Sequence, residues 1–130
     1  MEKHINGKTF FNAPVYFQLL KAEKDPEILE YIEGTVKTCC DYVRRVDMME
    51  TQLITARMRM DQDRYQELII NIDAQRRRAH NDAIASTGFL NRVANANGLG
   101  NVFLGDKEDR YQVADFCLEL VTAIFENRKK

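Results

Sequence analysis

The chain has 130 residues, of which 45% are apolar and 30% are charged, a composition that excludes a disordered tail and an integral membrane protein. Its 19 basic and 20 acidic residues nearly cancel, so a global electrostatic grip on nucleic acid is not indicated. The six glycines and two prolines favour a few long helices over many short strands. We therefore predict a single all-α domain over residues 1–130.

The opening residues lack the apolar segment of a secretory signal, and the longest apolar stretch, residues 116–125, is too short to cross a bilayer. The cysteines are odd in number, and two of them are adjacent, which prevents a bond between that pair without distortion. We expect a cytoplasmic protein with reduced thiols and no membrane partner. The cysteines are Cys39, Cys40 and Cys117.

The first elements are short. Residues 1–11 show no period and are predicted to form an irregular arm, with Phe10 and Phe11 anchoring it to the core. A short helix is predicted over residues 12–23, because Asn12 is a good N-cap and proline is favoured in a first turn.

A long helix is predicted over residues 26–60, with Asp25 as its N-cap and Pro26 at its first position. Its apolar residues recur at alternating spacings of four and three, which is a heptad seam typical of a coiled coil. The seam consists of Ile28, Ile32, Thr35, Cys39, Tyr42, Val46, Met49, Leu53, Ala56 and Met60.

The flank of this seam changes along the helix. Leu29, Val36 and Val43 widen the seam in its first half, as a globular bundle requires, whereas the flank beyond Val46 is polar.

A second long helix is predicted over residues 62–97, so that the two form an antiparallel hairpin. Residues 61–63, which begin with Asp61, can cap this helix after a tight turn. It ends at Gly98 and Gly100. Its seam is narrower and contains small residues in the middle: Tyr65, Ile69, Ile72, Arg76, Ala79, Ala83, Ser86, Leu90 and Val93.

The loop over residues 98–105 is apolar enough to fold back over the core. A final helix is predicted over residues 106–128, with Asp106 as its cap. Because this helix is apolar on nearly every side, we expect it to be buried on more than one face.

The length of the hairpin bears on self-association. Helices of this length would extend about 50 Å, whereas a compact domain of this size is about 36 Å across. We therefore expect a second copy to cover part of the seam, in a homodimer formed through the hairpin and the last helix. Another protein is the alternative partner. The alternative is a kink near residues 47–51 that folds the long helix into a compact monomer.

Polar residues on the second long helix form the candidate binding site. An arginine triplet precedes His80, and an arginine and a histidine on one helix resemble helical ribonucleases, although those families place four to six residues between the two and Arg76 leaves three. Alternatively, the arginines are solvated or paired with Asp73 and Asp82, and the amides fix the following loop. The candidate binding residues are Arg77, His80, Asn81, Asn91, Arg92 and Asn95.

An acidic row opens the first long helix. Glu27, Glu30 and Glu33 resemble the metal-binding row of helical nucleotide pyrophosphohydrolases, but the second acidic pair of those enzymes is missing, and acids are favoured at a helix start. We assign no catalytic residue, metal or cofactor.

Three groups of residues are similar to a family of small uncharacterised helical proteins of Gram-positive bacteria, classed as a domain of unknown function: residues 79–81, residues 89–92, and residues 105–106 with 109–112. The resemblance covers about the last 50 residues. It implies a bacterial cytosolic origin and no particular activity.

The favoured function is a non-enzymatic homodimeric interaction or regulatory protein. The first alternative is a binder of phosphate or nucleic acid, or a nuclease, that uses His80 and the neighbouring arginines. The second is a metal-dependent nucleotide hydrolase that uses Glu27, Glu30 and Glu33.

Overall fold

The fold is all-α, as predicted. The computed structural model describes residues 9–128, and that part of the chain forms a bundle of four helices. These are α1 (Ala13–Ala22), α2 (Pro26–Arg59), α3 (Gln62–Ala96) and α4 (Arg110–Arg128). Residues 1–8 of the predicted arm lie outside the described residues.

The first three helices begin at the caps that the sequence predicts. Asn12, Asp25 and Asp61 each accept a hydrogen bond through the side chain from a backbone N–H two or three residues further on. Such bonds satisfy N–H groups that have no partner inside the helix. The side-chain caps therefore fix where α1, α2 and α3 start.

Helices α2 and α3 form the long antiparallel hairpin. Helix α2 runs without interruption through residues 47–51, so the predicted alternative, a kinked helix folded back on itself, is wrong. Both seams face inward. Their buried members are Ile32, Cys39, Tyr42, Met49 and Ala56 on α2, and Ile72, Ala79, Ala83, Ser86, Leu90 and Val93 on α3.

Helix α4 packs along the half of the hairpin that lies away from the turn between α2 and α3, and it runs antiparallel to α2. Its first residue, Arg110, interacts electrostatically with Tyr42, and Ile124 near its other end lines one groove together with Leu29 and Ile32. The apolar flank of α2, at Leu29, Val36 and Val43, is half-buried against the core to which α4 contributes. The point at which this flank turns polar is thus close to the point at which α4 begins.

The start of α4 differs from the prediction. Asp106 does not cap the helix, because its side chain and carbonyl accept hydrogen bonds within a turn over residues 106–109. The cap is Asp109, whose Oδ1 accepts from the backbone N–H groups of Tyr111 and Gln112. Asp106 and Asp109 are three residues apart, and aspartate is a good helix cap. Because the turn uses the hydrogen-bond acceptors of Asp106, Asp109 caps α4.

The loop over residues 97–109 folds back along α3, as predicted, and pairs with the N-terminal arm. Asn12 N donates to Val102 O at 2.8 Å, and Leu104 N donates to Phe10 O at 2.9 Å. Phe11, 5% exposed, anchors the arm in the core, and this confirms the role predicted for it.

Gly105 is a point of close approach between the arm, the loop and α4. A Cβ atom there would lie 2.8 Å from Gln112 Oε1, and 2.9 Å from ring atoms of Phe10 and Phe103. Only glycine avoids these contacts without moving its neighbours.

Within residues 9–128, no helix is both long enough and apolar enough to cross a bilayer.

Candidate functional site

Two of the six predicted binding residues hold the loop. Asn91 Oδ1 accepts from the backbone N–H groups of Val102 and Phe103, each at 2.8 Å, and Asn91 Nδ2 donates to Phe103 O at 3.2 Å. Asn95 Nδ2 donates to Leu99 O at 3.1 Å and to Asn101 Oδ1 at 3.2 Å. The side-chain amides of these two residues thus supply the backbone of the loop with partners.

Three other predicted residues, Arg77, Asn81 and Arg92, are exposed on α3. Arg77 forms an ion pair with Asp73 one turn earlier, at 3.2 Å, with both side chains at least half exposed. A pair this open to water contributes little to stability. The structure does not gather these residues around His80.

His80 is half-buried and lies near three residues that the sequence analysis did not connect to it, as well as near Arg76, which it did. Its ring centroid is 6.5 Å from that of Tyr42 on α2. Arg110 and Glu108 interact with it electrostatically from the start of α4 and the preceding loop. Arg76 lies one turn before it on the same face of α3. We call these five residues, Tyr42, Arg76, His80, Glu108 and Arg110, the His80 cluster.

The His80 cluster contains hydrogen-bonding atoms that are buried without a partner among the described residues. Arg76 Nε and His80 Nδ1 are both out of reach of solvent and make no hydrogen bond there. Buried polar atoms in proteins nearly always have a partner, and this makes the pair unusual. Both residues are only partly buried as a whole, so each keeps another part of its side chain accessible.

The electrostatics of the cluster favour a neutral imidazole. Burial lowers the pKa of His80, the positive charge of Arg110 lowers it further, and Glu108 opposes this shift. Protonation would also place an N–H at Nδ1, where no acceptor lies within residues 9–128. Burial and the nearby Cys117 raise the pKa of the Tyr42 hydroxyl, whereas Arg76 and Arg110 lower it.

One sequence signal could have identified part of this cluster. Arg76 is the only charged residue of the two predicted seams. A charged group at a position that otherwise buries apolar atoms calls for a specific partner. No such signal in the sequence marks Arg110 and Glu108, because their position near His80 depends on the path of the loop.

Within residues 9–128, the outer part of the hairpin has no third helix against it. Arg110, where α4 begins, is close enough to Tyr42 and His80 to interact electrostatically with both. From Tyr42 to the end of α2 the hairpin extends about 25 Å further. We call residues 47–75 the distal hairpin. Its exposed large apolar residues are Met48, Ile54, Met58, Met60 and Ile70, between 43% and 82% exposed.

A comparison with known protein families shows to which family the chain belongs. The model of a family described as "Protein of unknown function (DUF3232)" matches residues 8–130. The chain belongs to the DUF3232 family. This match extends well beyond the last 50 residues that carried the resemblance in the sequence. No curated protein matches the chain.

Membership of DUF3232 transfers no activity and no site residue. The acidic row of α2 also offers no metal site in this DUF3232 protein. Glu27, Glu30 and Glu33 are exposed, and residues 9–128 contain no group of three histidine, cysteine or carboxylate side chains placed to hold a metal ion.

The three thiols of this DUF3232 protein lie in two different environments, and none of them forms a disulfide. Cys39 on α2 and Cys117 on α4 are both fully buried. A hydrogen bond with Cys39 and burial both raise the pKa of the Cys117 thiol. Cys40 is exposed and lines a mainly apolar groove of about 500 Å³ between α1, α2 and α4.

In the native protein, we expect the Cys40 thiol to react quickly with a disulfide reagent such as Ellman's reagent. Reaction requires that a thiolate meets the reagent, and of the three cysteines only Cys40 is exposed. The other two should react at the rate at which α4 separates from α2. Counting thiols against time measures this, and Cys40→Ser should remove the fast phase alone. Rapid reaction of a second thiol would show that the packing of α2 against α4 is open in solution.

Proposed function

We propose that this protein is a non-enzymatic interaction protein that forms a homodimer through its distal hairpin. The observation that carries the proposal is the distal end of the hairpin, which no other helix of the described part of the chain covers, so that α2 and α3 face only each other there. The seam there buries Met49, Ala56 and Ile72, whereas Ile54 and Met58 on α2 point into solvent. A pair of isolated helices buries too little apolar surface to be stable alone.

A second copy is the occupant that best fits this surface. Two distal hairpins packed side by side make a four-helix bundle, in which each exposed apolar face is covered by its equivalent. The charges are mixed in sign, so that a two-fold arrangement can place opposite charges together. The acidic residues are Asp47, Glu50, Asp61, Asp63, Glu67 and Asp73, and the basic ones are Arg57, Arg59 and Arg64.

The test is a paired substitution, Ile54→Glu with Met58→Glu. Both side chains are more than half exposed, so the fold of the protomer should be unaffected. Two buried charges in the dimer interface should raise the dimer dissociation constant by at least about tenfold, since about 1.4 kcal/mol corresponds to that factor. Sedimentation equilibrium over a range of concentrations measures this constant.

The matched control is Leu104→Glu, which places the same charge on a half-exposed side chain far from the distal hairpin. It should leave the dimer dissociation constant unchanged. A protein that stays monomeric at high micromolar concentration, or a dimer that both variants weaken equally, would show that the distal hairpin is not the dimer interface.

A further inference from the structure

The His80 cluster has a feature that dimer formation through the distal hairpin does not use. Arg76 Nε and His80 Nδ1 are buried one helical turn apart, and neither has a partner among residues 9–128. Tyr42, which is 5% exposed, closes the cluster from the side of α2. Two neighbouring polar atoms that both lack a partner favour a ligand over an isolated packing defect.

The charge around these atoms is set by three elements. Helix α3 contributes the positive charge of Arg76, and α4 contributes that of Arg110. The loop before α4 contributes Glu108. Asp73 also interacts with Arg110, but it is paired with Arg77.

The second arginine, Arg110, is exposed and makes only weak contacts with Tyr111. The Arg110 guanidinium is exposed, and it rests 5.2 Å from the centroid of the Tyr111 ring. Its contact with the Tyr111 hydroxyl is long, at 3.4 Å. The Arg110 guanidinium is therefore accessible to a ligand from solvent.

We propose that the His80 cluster binds a phosphate group, with Arg76 and Arg110 supplying the positive charge and His80 a hydrogen bond. Guanidinium groups suit phosphate because their N–H donors match its oxygens in pairs. A neutral imidazole that carries its proton on Nδ1 donates this N–H to the ligand, which supplies the acceptor that residues 9–128 lack. The ligand class is inorganic phosphate or a phosphomonoester such as a nucleoside monophosphate.

The experiment is an NMR titration of the full chain at constant ionic strength, with inorganic phosphate and, separately, adenosine 5′-monophosphate. The imidazole signals of His80 should shift saturably, because a bound dianion contacts the ring. The signals of the other histidine, identified with His4→Gln, should not. Tighter binding of the nucleotide would identify a phosphomonoester as the ligand, and equal binding would identify phosphate alone; both support the site.

Three variants decide whether the named residues form the site. Arg76→Gln and Arg110→Gln should each weaken binding by at least about tenfold, the loss expected for a charge-assisted pair. Arg78→Gln, on an exposed position of α3 outside the cluster, should leave binding unchanged. Arg110 is exposed, so its substitution tests the site even if Arg76→Gln unfolds the protein.

The absence of a saturable shift with either probe would overturn the phosphate site, as would equal weakening by all three variants. Neither outcome bears on the dimer, since Arg110 lies outside residues 47–75. Conversely, the Ile54→Glu and Met58→Glu variant should bind phosphate normally whether or not it dimerises.

Discussion

Replacing Phe116 with alanine is expected to lower the free energy of unfolding by about 3–5 kcal/mol, the range for a large aromatic side chain removed from a core. Phe116 is fully buried on α4. Its ring meets that of Phe11 at 5.7 Å and that of Phe103 at 5.2 Å, both edge to face. One side chain thus joins the arm, the loop and α4, and the cavity left by its removal would be lined by all three.

Urea denaturation followed by far-UV circular dichroism measures this loss. The matched control is Leu118→Ala on the same helix, where the side chain is 37% exposed and the expected loss is about 1 kcal/mol or less. Equal losses for the two variants would mean that α4 does not pack on the hairpin through the face that carries Phe116.

Much of the hairpin follows from the sequence, because its determinants are local. Asp25 and Asp61 cap the two long helices with bonds that reach only two or three residues along the chain. The heptad seam requires only helical periodicity and burial. The flank of α2 changes from apolar at Val43 to charged at Glu50, one heptad later. This change lies close to the point at which α4 stops packing against α2.

The start of α4 and the arm contacts were not predictable in this way. Asp106 and Asp109 are both good caps, and the choice between them depends on how the loop reaches the hairpin. Glu119 is a similar case. Its Oε1 accepts from the backbone N–H groups of Phe10 and Phe11, and thereby joins residues more than 100 positions apart. Nothing near Glu119 in the sequence marks this role.

Only part of the candidate site could be predicted from the sequence, because only that part depends on residues close together in the chain. The sequence identifies His80 and a neighbouring arginine, Arg76, because both belong to α3. The arginine across from it is Arg110, which arrives from the far end of the folded-back loop. Asn91, assigned to the same candidate site from the sequence, instead binds the backbone of that loop.

Replacing Asn91 with alanine is expected to cost about 2–4 kcal/mol of unfolding free energy, because it leaves the N–H groups of Val102 and Phe103, both on buried residues, without an acceptor. Asn91→Asp should cost less. It keeps an acceptor for both N–H groups and loses only the donation to Phe103 O. Asn95→Ala, which removes bonds at an exposed position, should cost least.

This order of stabilities distinguishes a residue that positions the loop from one that binds a ligand. Since the loop carries Glu108 and leads to Arg110, loosening it should also weaken phosphate binding at the His80 cluster, in proportion to the stability lost. Denaturation and phosphate titration of Asn91→Ala and Asn91→Asp measure both effects. Weaker phosphate binding with unchanged stability would instead make Asn91 a direct contact of the ligand.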